Sequence, residues 1–416
     1  MMKKYYVKTV YYNISKLLNK SRLLFLSVLL LEIIINIFKE ADMKKKEIPS
    51  VSKHFNQLSD PRKDNKRHKL IDIITISICA VICNADNFKH IAEFGRAKYQ
   101  WLKKFLELPH GIPSADTFER VFARINPDEF KKCFMEWIQA ISQLIKGEVV
   151  AIDGKTLRRS HDKSNGKSAI HMVSAWACAN GLVLGQVKTE EKSNEITAIP
   201  QLLKMLEIQG CIVTIDAMGC QKNIADTIIE KKADYIFSLK GNQSRLHDDV
   251  RLFFQDGIKN NFKDIPVETY ETVDAEHGKI EIRKYWTTSD IDWLQGKENW
   301  KELKTICMVQ RERQFKNKTE FETSYYIGSI ENDAELFADA VRSHWKIENS
   351  LHWVLDVTFR EDESRIRKDN APENFGVLRH IALNMIKKET SLKKSIKSKR
   401  LRAGWDNNCL LKVLKG

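Results

Sequence analysis

Three acidic residues stand where phosphodiester chemistry would need them. Asp153 closes the β-branched run Glu148-Val-Val-Ala-Ile-Asp153, and Asp216 closes a second such run, Cys211 to Ile215. Glu348 lies in a helical stretch with His344 and His352 four residues to either side, so the three share one helix face. Hydrolysis and transfer of a phosphodiester use two divalent ions about 3.5–4 Å apart, one on the attacking oxygen and one on the leaving oxygen. Mg2+ prefers oxygen ligands and is held by a few carboxylates plus substrate phosphate; Mn2+ is the alternative ion. Asp153 is expected to be shared between the ions, with Asp216 and Glu348 each flanking one. Each acid also has a plain structural reading. An Asp at a strand end is often a turn former or helix cap. The two histidines with Glu348 could form a zinc site, or a solvated stripe. On spacing alone Asp356, Glu361, Asp362 and Glu363 compete with Glu348 for the third place.

The elements that would hold these acids change character along the chain. Residues 43–146 read as helical. Lys66 to Asn84 is a long apolar stretch, and Phe88 to Leu108 has helical spacing with a basic face. Asp116 three residues before Glu119 resembles a capping box, and Asn126-Pro127 caps and starts the next helix. Arg120 and Arg124 on the helix after the break suggest a helix-turn-helix-like contact with double-stranded DNA, or merely solvated arginines on a bundle. From residue 147 the pattern predicts strand, strand, strand, helix, strand, helix, strand, with Asn180-Gly181 as a hairpin turn. That is the element order of the RNase H-like α/β fold, which would bring Asp153 and Asp216 to one sheet edge. The catalytic domain is expected to span 147–386. Residues 259–330 read as a β-rich subdomain inserted into it. Residues 387–416 read as a basic C-terminal tail.

Composition fits a polyanionic partner. The 416 residues carry 69 Lys plus Arg against 55 Asp plus Glu, a formal net charge of +14. Such an excess favours DNA or RNA, with a ribosomal or membrane-surface role as the bland alternative. The eight cysteines are scattered without a CxxC pair, which argues against a zinc ribbon and reads as core residues in a reducing compartment. Phosphate could be gripped by Lys155, Arg158 and Arg159 after the first Asp, by Lys240 and Asn242 after the fifth strand, and by Arg342 and Lys346 around Glu348. Trp345 and Trp353 could stack on an unpaired base or pack in the core. The apolar run Leu23–Phe38 is interrupted by Glu32 and Asn36 and falls short of a membrane span. Met43 follows closely, so residues 1–42 are read as an upstream extension, and no stable membrane association is expected.

Four motifs carry a family resemblance. Ala151-Ile-Asp-Gly-Lys-Thr, Thr214-Ile-Asp-Ala-Met-Gly-Cys-Gln221, Ser238-Leu-Lys-Gly-Asn-Gln243 and the segment Ser343 to Phe359 resemble bacterial insertion-sequence transposases. The nearest group includes the H-repeat-associated proteins. The likeness extends from about Asp60 into the basic tail, and Pro113-Ser-Ala-Asp-Thr-Phe-Glu-Arg120 resembles the group's helical N-terminal domain. The resemblance implies an RNase H-like core, a DDE triad carried onto Asp153, Asp216 and Glu348, and Mg2+-dependent transposition. It implies binding of the element's inverted ends by an oligomer, strand cleavage, and attack of the freed 3′-hydroxyl on target DNA, in the bacterial cytoplasm and on the nucleoid. The wider superfamily often has Tyr, Arg and Lys around the Glu; here those places hold Val341, His344 and Leu355, and His344 and His352 are expected to serve as basic partners for DNA instead. A nuclease that cuts without joining and a DNA-binding derivative that no longer transposes remain open alternatives.

Overall fold

A computed structural model describes residues 51–63, 66–161, 168–189, 195–276 and 279–415. The reading of residues 1–42 and of Met43 as the start lies outside them. The chain begins with helices α1 (Val51–Phe55), α2 (Leu70–Ile82), α3 (Phe88–Ala97), α4 (Tyr99–Leu102), α5 (Ala115–Arg124) and α6 (Pro127–Ile141). Helix α2 is apolar all round and is buried from Asp72 to Ile82, as a helix enclosed by others must be. Asn126 caps α6, accepting from the Asp128 and Glu129 amides, with Pro127 in the first turn. The cap of α5 is Ser114, which accepts from the Thr117 amide. The capping-box reading on Asp116 is thereby corrected, because the cap is Ser114 and Asp116 lies two residues later, already inside the first turn.

The strands follow: β1 (Val149–Thr156), β2 (His171–Ala177), β3 (Leu182–Lys188), helix α7 (Glu195–Met205), β4 (Ile212–Ile215), helix α8 (Lys222–Glu230) and β5 (Asp234–Leu239). The β2–β3 turn places Gly181 at φ 65°, a left-handed conformation that glycine adopts without steric cost. Strands β1, β4 and β5 run parallel; β4 is buried throughout and β1 over Val149–Ile152, as expected of strands covered on both faces. After α9 (Ser244–Lys259) come β6 (Glu268–Glu276), β7 (Lys279–Thr288), β8 (Thr305–Phe315) and β9 (Lys318–Gly328).

These last four strands fall within residues 259–330 and extend the sheet of the first five. β9 pairs antiparallel with β5, so all the strands form one nine-stranded sheet of order β3-β2-β1-β4-β5-β9-β8-β7-β6. The non-local β5–β9 pairing joins what local patterning separates.

Helix α10 (Ala334–Ile347) returns across this sheet, touching β7 and β6 as well as β5, β4 and β1. Phe337 and Val341 press it onto Tyr285, Cys307, Ile212 and Val149 in a compact apolar cluster. Each such large side chain contributes about 1.5–3 kcal/mol when fully buried. A π turn (Glu348–His352) continues α10 into α11 (Trp353–Val357). The chain ends in α12 (Ala371–Lys388), α13 (Ile396–Trp405) and α14 (Asn407–Lys415). The basic segment after Lys387 is therefore not a solvated tail. Arg400 is 1% exposed, donates to the Val81 and Thr358 carbonyls, and lies over the Phe359 ring. Helix α12 packs on α2, α5 and α6, so the first and last helices share one core. No described helix is long and apolar enough to cross a membrane.

Candidate active site

Register decides where the first two acids meet. Ile152 of β1 lies beside Ile215 of β4 in a parallel pair, so the next residues, Asp153 and Asp216, come side by side where that pairing ends, β4 stopping there and β1 running on to Thr156 along β2. Crevices at the carboxyl ends of parallel strands are where α/β sheets bind ligands. Asp153 Oδ1 accepts from its neighbour's amide, Gly154 N, at 2.8 Å. Asp216 Oδ1 accepts from the Met218 and Gly219 amides at 3.0 and 3.2 Å, which fixes its carboxylate on the turn after β4.

Helix α10 brings the third acid. A strict α-helix advances about 100° per residue, so residues four apart drift around its axis by about 40° per step. The π turn over Glu348–His352 interrupts that drift, and such bulges occur often at functional sites. His352 Nδ1 lies 3.1 Å from Glu348 Oε2 and 3.5 Å from Asp153 Oδ2. Donor atoms of Asp153, Glu348 and His352 all fall within 4.8 Å of one another. Glu348 is more than half exposed while His352 is buried. His344, one turn earlier, is elsewhere: its Nδ1 is 3.1 Å from Thr214 Oγ1 on β4. A zinc site of His344, Glu348 and His352 is thus not formed, because Thr214 engages the first histidine.

Burial pushes the Asp153 carboxyl up to about 6; His352 and the Gly154 amide oppose that rise, and the charges of Asp216 and Glu195 add to it. This crowding of acids is what a cation would relieve. Burial holds the His344 imidazole below its ordinary range, against the pull of Asp216.

Two supporting groups escaped the sequence reading. On β2, His171 Nε2 lies 2.7 Å from Glu195 Oε1, and its Nδ1 lies 2.8 Å from Thr156 Oγ1. This pair fills the space over Gly154, where a Cβ would come 2.1 Å from Glu195 Oε1 and 2.5 Å from His171 Nε2. Glu195 opens a helix and His171 opens a strand, and no spacing rule links them. The second group lies behind the site. Lys155 is bonded to Asp356 and Glu361, and Arg379 faces Glu361 at 3.4 Å. Burial alone would raise the Glu361 carboxyl, but Lys155 and Arg379 overcome it and hold the group down at about 2.

The expected phosphate-gripping residues divide accordingly. Lys155 is mostly buried, and its ammonium is committed to the two carboxylates. His352 likewise faces Asp153 and Glu348 from a buried position. Arg158 is exposed beside Asp362, and Arg159 is exposed. Lys240 is exposed, and Asn242 reaches back to the Ala217 carbonyl at 2.6 Å. Arg342 pairs with Asp274 of β6 at 2.9 Å, and Lys346 donates to Ser343 Oγ. Arg120 and Arg124 are exposed on α5. Trp345 and Trp353 are also exposed, so neither packs in the core.

Two acids thus stand side by side where the β1–β4 pairing ends, and a third reaches Asp153 from the turn after α10. Comparison with known proteins gives the class. The family described as Transposase DDE domain matches residues 145–385, and the DDE_Tnp_1-associated domain matches residues 52–138. The chain is 43% identical over 369 residues to the Putative transposase YncI of Escherichia coli O157:H7, covering 88% of this chain and 94% of that protein. It is 41% identical over 376 residues to the H repeat-associated putative transposase YhhI of Escherichia coli K12, covering 89% and 99%. A solved structure of the piggyBac transposase synaptic complex with hairpin DNA matches at a TM-score of 0.40 and 11% identity, covering 89% of this chain and 78% of that one. The chain belongs to the DDE transposases, and its function is that of an insertion-sequence transposase.

Proposed function

We propose that Asp153, Asp216 and Glu348 are the three metal-binding acids of an RNase H-like catalytic core. The protein binds the terminal inverted repeats of its own element in double-stranded DNA, acts as a homo-oligomer, cuts the strand and joins it to target DNA. The observation that carries this reading is that the register of β1 and β4 sets Asp153 beside Asp216, while the turn after α10 sets a donor of Glu348 within 4.8 Å of one of Asp153. The donors suit a hard divalent cation, Mg2+ or Mn2+: they are mostly carboxylate oxygens, and the charged form of Asp153 is disfavoured first by burial and then by the charges of Asp216 and Glu195. Two such ions, when bound, activate the attacking oxygen and stabilise the leaving one. Asp153 and Asp216 are held by backbone amides, so their carboxylates enter the reaction already oriented. The exposed Arg158, Arg159, Lys240, Arg342 and Lys346 around the site hold the backbone of the DNA, and Arg120 and Arg124 extend that grip onto the helical part.

The test is an excision and integration assay in cells, with the gene supplied beside a marker flanked by the element's genomic ends. Wild type should move the marker. Asp153→Ala, Asp216→Ala or Glu348→Ala should each abolish movement while purified protein still binds the ends. Substantial movement with any one variant removes that acid from the triad. Nicked DNA without joined product would identify a nuclease instead.

A further inference from the structure

We propose that His352 is a direct ligand of the ion held by Asp153 and Glu348, and that this nitrogen makes the site favour Mn2+ over Mg2+. The inference rests on the triad reading above and specifies the chemistry of one of its ion positions. Its first support is distance. Donors that share an octahedral ion at about 2.1 Å sit roughly 3 Å apart. His352 Nδ1 is 3.1 Å from Glu348 Oε2 and 3.5 Å from Asp153 Oδ2.

The second support is where the ring is spent. His352 is 4% exposed, so it is not a surface cation offered to DNA. Its Nε2 lies buried without a hydrogen-bond partner. Among the described residues the ring is held from its Nδ1 side alone, by the two carboxylates. With an ion present the same atom offers its lone pair.

The third support is the backbone. Glu348 and His352 are the first and last residues of the π turn. The turn presents both side chains to Asp153, although His344, at the same spacing in the preceding α-helical turn, reaches Thr214 instead.

The ion preference follows from the donor. Imidazole is a suitable ligand for first-row transition ions, whereas Mg2+ prefers oxygen and sheds water reluctantly. A purely carboxylate site would show no such bias.

Pulsed electron paramagnetic resonance on the full chain loaded with Mn2+ reads the nitrogen directly. Wild type should show 14N modulation from a bound imidazole, and 15N-histidine labelling should replace it with the 15N pattern, a check that needs no variant. His352→Gln should lose the modulation and bind Mn2+ at least about tenfold more weakly, with Mg2+ affinity changed by less than about threefold. His344→Gln should keep the modulation. Bound Mn2+ without nitrogen modulation in wild type, or modulation that survives in His352→Gln, overturns the proposal while leaving the triad reading intact. Mn2+ that binds wild type and Asp153→Asn alike, or binds neither, overturns the triad reading and this proposal together.

Discussion

Gly154 shows how narrowly the site is fitted around single residues. It follows Asp153 on β1, and the His171–Glu195 pair occupies the space a side chain would need. Gly154→Ala should therefore displace Glu195, break its bond to His171, and cost about 1–3 kcal/mol of stability. Urea denaturation monitored by circular dichroism would measure it; unchanged stability would mean that the pair relaxes freely. The acids at the strand ends were legible in the sequence because a β-branched run closed by an Asp is a local pattern. His171 and Glu195 were not, since their meeting depends on how β2 and α7 pack. Lys155 was misread for the same reason. A lysine two residues after a proposed metal-binding acid looks like a phosphate contact until Asp356 and Glu361, some two hundred residues on, are seen to claim it.

Elements in this protein are locked to one another by buried polar groups. Strand β3 is an edge of the sheet, and an edge leaves backbone donors and acceptors to be satisfied. Asn384 of α12 does this for Val183: its Oδ1 accepts from Val183 N and its Nδ2 donates to Val183 O, both at 2.9 Å. Asn384 is fully buried. Asn384→Leu should cost at least about 2 kcal/mol, because it strands two buried backbone groups. Chemical denaturation checks this, and a loss below about 0.5 kcal/mol would show that water or rearrangement replaces the amide. Helices and strands were read from periodicity and turn residues, which act over a few positions. The pairing of β9 with β5 was not readable, as it joins segments separated by about ninety residues and leaves no trace in either.

At the scale of the whole molecule, the two ends of the described chain form one body. Arg400 ties α13 to α2 and to the end of α11, where the sequence suggested only a basic tail. A run of Lys and Arg reads as solvated until three of its members are counted as structural: Lys399 and Arg400 are buried, and Lys387 lies over Trp176. The Lys155–Glu361–Arg379 group in the same interior makes stability depend on acid. The folded carboxyl of Glu361 sits near 2 against an ordinary value of 4.5. Its stabilisation is complete above about pH 4.5 and is lost as pH falls through about 2. Melting temperatures of wild type and Glu361→Gln should differ most at neutral pH and converge toward pH 2. A constant gap across that range would contradict the assignment.

The route of the chain through the sheet also sets an order in time. Asp153 and Asp216 leave the ribosome early, but Glu348 and His352 arrive only after β6 to β9 have been made and α10 can turn back across them. The helices that close the core around the first ones come last of all. A nascent or prematurely ended chain therefore holds two of the acids and no assembled centre. On the proposed triad, a chain stopped before α10 should therefore cut no DNA, whatever else it binds.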